Sequence, residues 1–163
     1  MGLASNEDHQ ADIARTLGLY AVLIREQMRR QGLSVKRLGQ EGLIRKNHQN
    51  GFYARLEAGK ISLEEFQKLN ERLQIDPIRA ALAMVCFENA DSYDDPCCRT
   101  SAQVAMAMAN HLPEEIAACD GEFEGIREQL CVTIARRTSS AIANHHRLIE
   151  SKLNGDGFAH AYG

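Results

Sequence analysis

Amide and basic side chains follow one another in the stretch "IRKNHQN", in the first third of the chain. Asn47, Gln49 and Asn50 carry side-chain amides, and Arg45 and Lys46 come directly before them. An amide can pair with both major-groove positions of adenine, and Arg or Lys can donate to both acceptors of guanine. The stretch could therefore read base edges. The plainer alternative is a soluble turn, in which Asn and Gly are common residues.

The charge distribution points to the same part of the chain. Residues 25–60 contain nine Lys or Arg and three Asp or Glu, although the whole chain of 163 residues has a net charge of −3. Residues 81–163 contain six basic and twelve acidic side chains. A basic stripe in an otherwise acidic protein is a place where phosphates could dock. The alternative is a solvated helix face that has no partner.

The basic stripe of residues 25–60 falls within three predicted helices and their connections. Apolar residues at helical spacing predict a first helix over residues 9–31, and Ser34 is a natural N-cap for a second helix over residues 35–42. A third helix is predicted over residues 47–58. Because a glycine inside a helix costs about 1 kcal/mol relative to alanine, a start after Gly51 is the alternative.

Two start signals predict further helices in the first half. "SLEE" at Ser62 is a capping box, and Asp76-Pro77 combines an N-cap with proline at the first helical position. Five helices therefore occupy the first 90 residues, and no segment alternates with the period of a strand. The pattern predicts an all-α chain.

The second half ends in the longest helical pattern of the chain. An alanine- and methionine-rich helix is expected after Thr100, and the long helix over residues 122–154. Helices of such length usually pack on another chain or bridge two lobes. We therefore predict a dimer interface along the stripe Phe123, Ile126, Leu130, Ile134, Ala141, His145 and Leu148.

Two segments of the first half carry a family resemblance. "GLSVKRLGQEGL" and "YARLEAGKISLEEFQKLNERLQID" resemble the Cro/C1-type (Xre family) helix-turn-helix regulators of bacteria and phages, over about residues 19–76. Arg55, Leu56, Glu57 and Gly59 fall on the family's Arg-Ile-Glu-x-Gly. Two departures are Val35, where the family has glutamine, and about four extra residues before "RLEAG".

The resemblance implies a five-helix Cro/C1-like DNA-binding domain over residues 1–80. The second half carries no such resemblance, and its long helix predicts a helical dimerisation or partner-binding domain over residues 81–163. The resemblance also implies that Arg55 and Glu57 form an internal ion pair instead of contacting DNA. With the resemblance, base readout is favoured over a plain turn, and phosphate contacts fix the register. The expected DNA contacts are Lys36, Arg37, Arg45, Lys46, Asn47, His48, Gln49, Asn50 and Lys60.

Catalytic and metal-binding motifs are missing from the sequence. There is no glycine-rich phosphate loop, Gly-x-Ser-x-Gly or His-Glu-x-x-His, so we expect neither an enzyme nor a cofactor. The adjacent pairs Cys97-Cys98 and His145-His146 do not have the spacing that places two ligands on one tetrahedral ion. A metal site and a redox switch at Cys97-Cys98 remain minor alternatives.

Composition also bears on location and partners. The polar, acidic start of the chain and the odd count of five cysteines predict a cytoplasmic protein with reduced thiols, and no apolar run predicts a membrane span. The expected function is a transcriptional regulator that binds a roughly palindromic operator as a homodimer. The alternative is a helix-turn-helix scaffold that binds another protein, such as a transcription-machinery subunit or a toxin.

Overall fold

A computed structural model describes the backbone of residues 6–159 and the side chains of residues 9–153. Within this range the chain is all-helical and contains no strand. The predicted all-α class is confirmed. The helices are α1 (Asn6–Arg30), α2 (Val35–Gln40), α3 (Phe52–Glu57), α4 (Leu63–Leu73), α5 (Pro77–Val85), α6 (Pro96–Ala117) and α7 (Glu128–Ala159), with 3-10 turns at Lys46–His48 and Ala90–Asp94.

Local capping explains where three of these helices begin. The Ser34 hydroxyl accepts from the amide of Arg37 at 3.2 Å, and the Ser62 hydroxyl accepts from the amide of Glu65 at 3.2 Å. The Asp76 carboxylate accepts from the amide of Arg79 at 2.9 Å. Each cap satisfies an amide that has no partner inside its own helix. The predicted starts of α2, α4 and α5 are confirmed.

The contacts divide the chain into two compact units, and the boundary along the chain lies between residues 115 and 116. Residues 81–98 are part of the first unit, where Ala83, Tyr93 and Cys98 join the core that α1 to α4 form. The functional boundary expected near residue 80 stays a prediction.

The core of the first unit is formed by the apolar stripes of its helices. Ile24, Leu38 and Leu69 are fully buried, and Phe52 is only 2 % exposed. Most apolar residues at helical spacing in α1 to α4 are buried or half-buried, but Ile13 is 53 % exposed and Leu63 is 71 % exposed. The stripes therefore pack on one another within the chain.

The third predicted helix is interrupted. Lys46–His48 forms a 3-10 turn, and Gly51 adopts the left-handed conformation with φ of 70° before α3 begins at Phe52. A residue other than glycine is strained at this φ. The alternative start after Gly51 is confirmed, and a continuous helix over residues 47–58 is wrong.

The long helix of the second half begins later than the sequence predicted. Residues 121–127 are not helical, and Gly121 has a φ of 99°. Phe123 and Ile126, which are predicted to lie on the helical stripe, lie in this preceding segment instead. α6 also departs from expectation, since it begins at Pro96 and continues through Pro113.

The side chains of α7 lie at the surface. From Glu128 to Leu153 every side chain is exposed except that of Thr138, which is half-buried. Among the helices that the structure describes, none has both the length and the apolar character that crossing a bilayer requires.

Candidate nucleic-acid interface

The candidate interface lies between α2 and α3, and a buried carboxylate at the start of α4 holds it in place. The carboxylate of Glu65 accepts from the amide of Arg45 at 3.2 Å and lies 3.2 Å from Nδ1 of His48. Its second oxygen lies 3.6 Å from Nη2 of Arg55. The Glu65 side chain is only 9 % exposed. These contacts fasten the polar stretch to α4.

Glu65 is ionised because its partners outweigh its burial. Burial by itself raises the pKa of this carboxyl, whereas the backbone amides of Arg45 and Ser62 and the imidazole of His48 lower it. The net effect is a pKa below the ordinary value. Charge-assisted hydrogen bonds of this kind are stronger than neutral ones. The sequence showed Glu65 only as part of a capping box, because its other partners lie 10 to 20 residues earlier.

The predicted pair between Arg55 and Glu57 is wrong. Arg55 donates to the carbonyls of Lys60 at 2.9 Å and His48 at 3.3 Å, whereas Glu57 pairs with Arg25 of α1 at 2.7 Å. Residues two apart on a helix do not face each other, so each side chain finds a partner elsewhere. Both residues stabilise the fold, as expected, but not through one another.

The polar stretch divides into exposed residues and residues that pack on the protein. Asn47 and Asn50 are exposed, whereas His48 and Gln49 are half-buried. A Cβ atom at Gly39 would lie only 2.0 Å from Nε2 of Gln49, so the glycine makes room for that amide. His48 and Gln49, which we predicted to contact DNA, therefore contact the fold. The sequence contained no signal that distinguished them from their neighbours.

The structure also sorts the nine basic residues of the stripe. Five form ion pairs, namely Arg25, Arg29, Arg30, Arg37 and Arg55. The other four are exposed, and none of them has a carboxylate within 4 Å in the described part of the chain. These four residues are Lys36, Arg45, Lys46 and Lys60. The charge available to a phosphate is therefore smaller than the sequence suggested.

Arg37 is intermediate between these two groups. Its guanidinium pairs with Glu41 at 3.0 Å, and Arg72 pairs with the same carboxylate at 2.8 Å. Hydrogen bonds from Arg72 and then Arg37 lower the pKa of Glu41. Because the Arg37 side chain is 60 % exposed, solvent screens its pair with Glu41. A phosphate could exchange for Glu41 at low cost.

The cysteines and histidines do not come together as a metal site. Between residues 9 and 153, no group of three His, Cys, Asp or Glu side chains could hold an ion. Cys97 is exposed, whereas Cys98 is buried and its thiol donates to the carbonyl of Arg79 at 3.5 Å. Burial raises the pKa of Cys98. The two neighbouring thiols therefore have different environments.

The residues predicted to form a dimer interface lie on α7, apart from Phe123 and Ile126. At 100° per residue, Leu130, Ile134, Ala141 and Leu148 lie within about 40° of one another, and His145 lies about 20° beyond them. All of these residues are exposed. They form one apolar face that is open to a partner.

No family model, curated protein or solved structure matches the chain. The likeness to Cro/C1 regulators therefore depends on the motifs at residues 32–43 and 53–76.

Proposed function

We propose that the protein is a sequence-specific DNA-binding transcriptional regulator that acts as a dimer on an operator-like site. The observation that supports this function is the set of exposed cations around α2 and α3 that have no carboxylate within 4 Å among the described residues, together with the amides of Asn47 and Asn50. Such cations attract a phosphate backbone, and exposed amides suit base edges. The buried Glu65 holds the segment between them rigidly, which favours a defined docking geometry.

The contacts can be assigned by their chemistry and position. Lys36 and Lys60 flank the stretch and would contact phosphates, which fixes the register without reading sequence. Asn47 and Asn50, with Arg45 and Lys46 beside them, would contact bases. In this proposal the reading side chains come from a 3-10 turn and the residues that follow it.

A second candidate is a scaffold that binds another protein, such as a transcription-machinery subunit or a toxin. The observation that favours it is the amount of exposed apolar surface in the second half. Met108 of α6 is 47 % exposed and Leu148 of α7 is 61 % exposed. Apolar surface of this kind often marks a protein-interaction site.

Selection of bound sequences from random duplex DNA, followed by binding measurements over a range of salt concentrations, tests the first proposal. We expect enrichment of a roughly palindromic site and an affinity that falls steeply with salt, by about 0.9 log units per log unit of salt for each phosphate neutralised. No enrichment, with binding to cell proteins that is insensitive to salt, would favour the second candidate.

Matched variants identify the reading residues. Combined replacement of Asn47 and Asn50 by Ala should cost about 1–3 kcal/mol for each bidentate contact and relax the preference at the bases concerned. Asn110→Ala is the control, because Asn110 is an exposed amide of α6. Lys36→Gln should instead weaken all sequences alike and reduce the salt slope by about 1 per protomer, whereas Lys152→Gln should not. Unchanged sequence preference in the double variant would refute base readout by these amides.

A further inference from the structure

An Asn-Gly pair connects the candidate interface to α3. Asn50 and Gly51 are the central residues of a turn in which the carbonyl of Gln49 accepts from the amide of Phe52 at 3.3 Å. Gly51 has a φ of 70° and a ψ of 19°, which suits the third position of a type II turn. The N–H and the carbonyl of the peptide bond between Asn50 and Gly51 take no part in that hydrogen bond. This peptide bond is therefore not held as it would be inside a helix.

The side chain of Asn50 and the nitrogen of Gly51 are both accessible. Asn50 is exposed, and neither its side-chain amide nor the backbone N–H of Gly51 has a hydrogen-bond partner in the part of the chain that the structure describes. Gly51 has no side chain to hinder the approach of its nitrogen. A Cβ atom added at Gly51 would meet no atom beyond its chain neighbours within 4 Å. The surroundings of this pair are therefore open as well.

We propose that Asn50 is a self-modification site, where the side-chain amide is lost through ring closure with the backbone nitrogen of Gly51. The Gly51 nitrogen attacks Cγ of Asn50, a C–N bond forms, and the side-chain nitrogen leaves as ammonia with the proton of the Gly51 amide. Proximity makes such an intramolecular attack efficient. Water then opens the cyclic imide at either of its carbonyl carbons. The products are an aspartate and an isoaspartate, in which the chain continues through the side-chain carbonyl.

Asn47 of the same stretch lacks these conditions. Its side chain is exposed, like that of Asn50. The backbone amide of the next residue, His48, however, donates to the carbonyl of Arg45 at 2.8 Å. His48 also carries a side chain, which crowds the approach of its nitrogen. The fold therefore leaves one of the two proposed reading amides open to the reaction and protects the other.

The modification changes what residue 50 offers to DNA, and this consequence alone rests on the proposed function. An amide both donates and accepts, whereas a carboxylate only accepts, so the paired contact with adenine is lost. The new negative charge also opposes the attraction of Arg45 and Lys46 for phosphates. An isoaspartate in addition lengthens the backbone just before Phe52, the first residue of α3. The protein thus loses base reading with time, without a partner enzyme.

Peptide mapping of the folded full chain tests the modification without DNA. Asn154, in the other Asn-Gly pair of the chain, is first changed to Gln so that one such pair remains. After incubation at mildly alkaline pH, trypsin cleaves after Lys46 and Arg55, and tandem mass spectrometry locates the deamidated residue in the peptide. We expect deamidation at Asn50, accelerated by hydroxide, and a reaction at Asn47 at least about 10-fold slower. An Asn50 that stays intact in the folded protein, or reacts no faster than Asn47, would overturn the proposal.

Two variants at the same position separate the reaction from its consequence. Asn50→Gln keeps an amide but must close a larger ring, so it should stay unmodified under the same conditions. Asn50→Asp carries the ordinary product from the start. Aged wild type and fresh Asn50→Asp should both bind the selected DNA site about 10-fold or more weakly than fresh wild type, whereas the affinity of Asn50→Gln should not change on ageing. Circular dichroism of each sample verifies that the helices are intact.

The DNA proposal fails separately from this one. Deamidation at Asn50 with undiminished DNA affinity would refute base readout by Asn50 and leave the modification site intact. A protein that selects DNA but keeps its Asn50 amide throughout the incubation would refute the modification site and leave the proposed function intact.

Discussion

The two halves of the molecule use the same apolar spacing in different ways. In the first unit Ile24, Leu38 and Leu69 are fully buried, because α1 to α4 pack their apolar faces on one another. In α7 the apolar face is exposed to solvent, and Leu153 is 69 % exposed. Helical periodicity therefore predicts which face is apolar, but not whether the same chain covers it. The difference suggests that the first unit folds alone and that α7 is stabilised by association.

Dilution should separate the two regions most strongly. Below the dissociation constant of the dimer, amides of α7 should lose protection from hydrogen exchange on the order of 100-fold, because the helix loses its partner. Amides around Ile24 should keep theirs. Hydrogen exchange followed by mass spectrometry at several protein concentrations measures both at once. Equal protection of α7 at all concentrations would contradict the difference between the two regions.

A pair of phenylalanines offers a matched comparison of stability. Phe52 is 2 % exposed, so Phe52→Ala should lower the free energy of unfolding of the first unit by about 3–5 kcal/mol. Phe123 is 55 % exposed, and Phe123→Ala should change that free energy by less than about 0.5 kcal/mol. Urea unfolding followed by circular dichroism measures both. Similar losses would mean that Phe123 belongs to the first core.

Two glutamates compare a buried with an exposed carboxylate. Glu65→Gln should cost about 1–3 kcal/mol, because the buried side chain loses charge-assisted hydrogen bonds to Arg45 and His48. Glu150→Gln on α7 should cost little, since Glu150 is 59 % exposed in its pair with His146.

Glu65 should also make the stability of the protein depend on pH. The pKa of Glu65 is lowered in the folded state, so its contribution is present above the ordinary value of 4.5 and is lost as the pH falls below it. Unfolding by urea at a series of pH values should therefore show a smaller acid loss in Glu65→Gln than in the wild type. A loss of the same size in both would exclude Glu65 as its source.

The smallest expected effect concerns surface arginines. Arg25 pairs with Glu57 and lies over the Tyr53 ring at 4.6 Å, so Arg25→Ala should cost about 0.5–1 kcal/mol. Arg147 of α7 has no ion pair among the described residues, and Arg147→Ala should leave the unfolding of the first unit unchanged. Thermal unfolding of both variants distinguishes these outcomes. A larger loss in Arg147→Ala would show that α7 stabilises the first unit.

Local chemistry in the sequence determined the all-helical class and most helix starts. Ser34, Ser62 and Asp76 cap their helices through amides three residues ahead, so a short window of sequence contains both partners. The left-handed Gly51 was likewise visible as a possible break. Apolar spacing predicted the buried faces of the first unit for the same reason, since neighbours on a helix face are three or four residues apart.

Only the tertiary structure decided which polar residues remain available for binding. Glu65 meets Arg45 and His48 across 20 and 17 residues, Glu57 meets Arg25 across 32, and Gln49 packs on Gly39 of another helix. These contacts depend on tertiary packing, because a charged or amide side chain pairs with whichever partner the fold brings near it. The sequence therefore showed which side chains could bind DNA, and the fold separated those that support the structure from those that still face solvent.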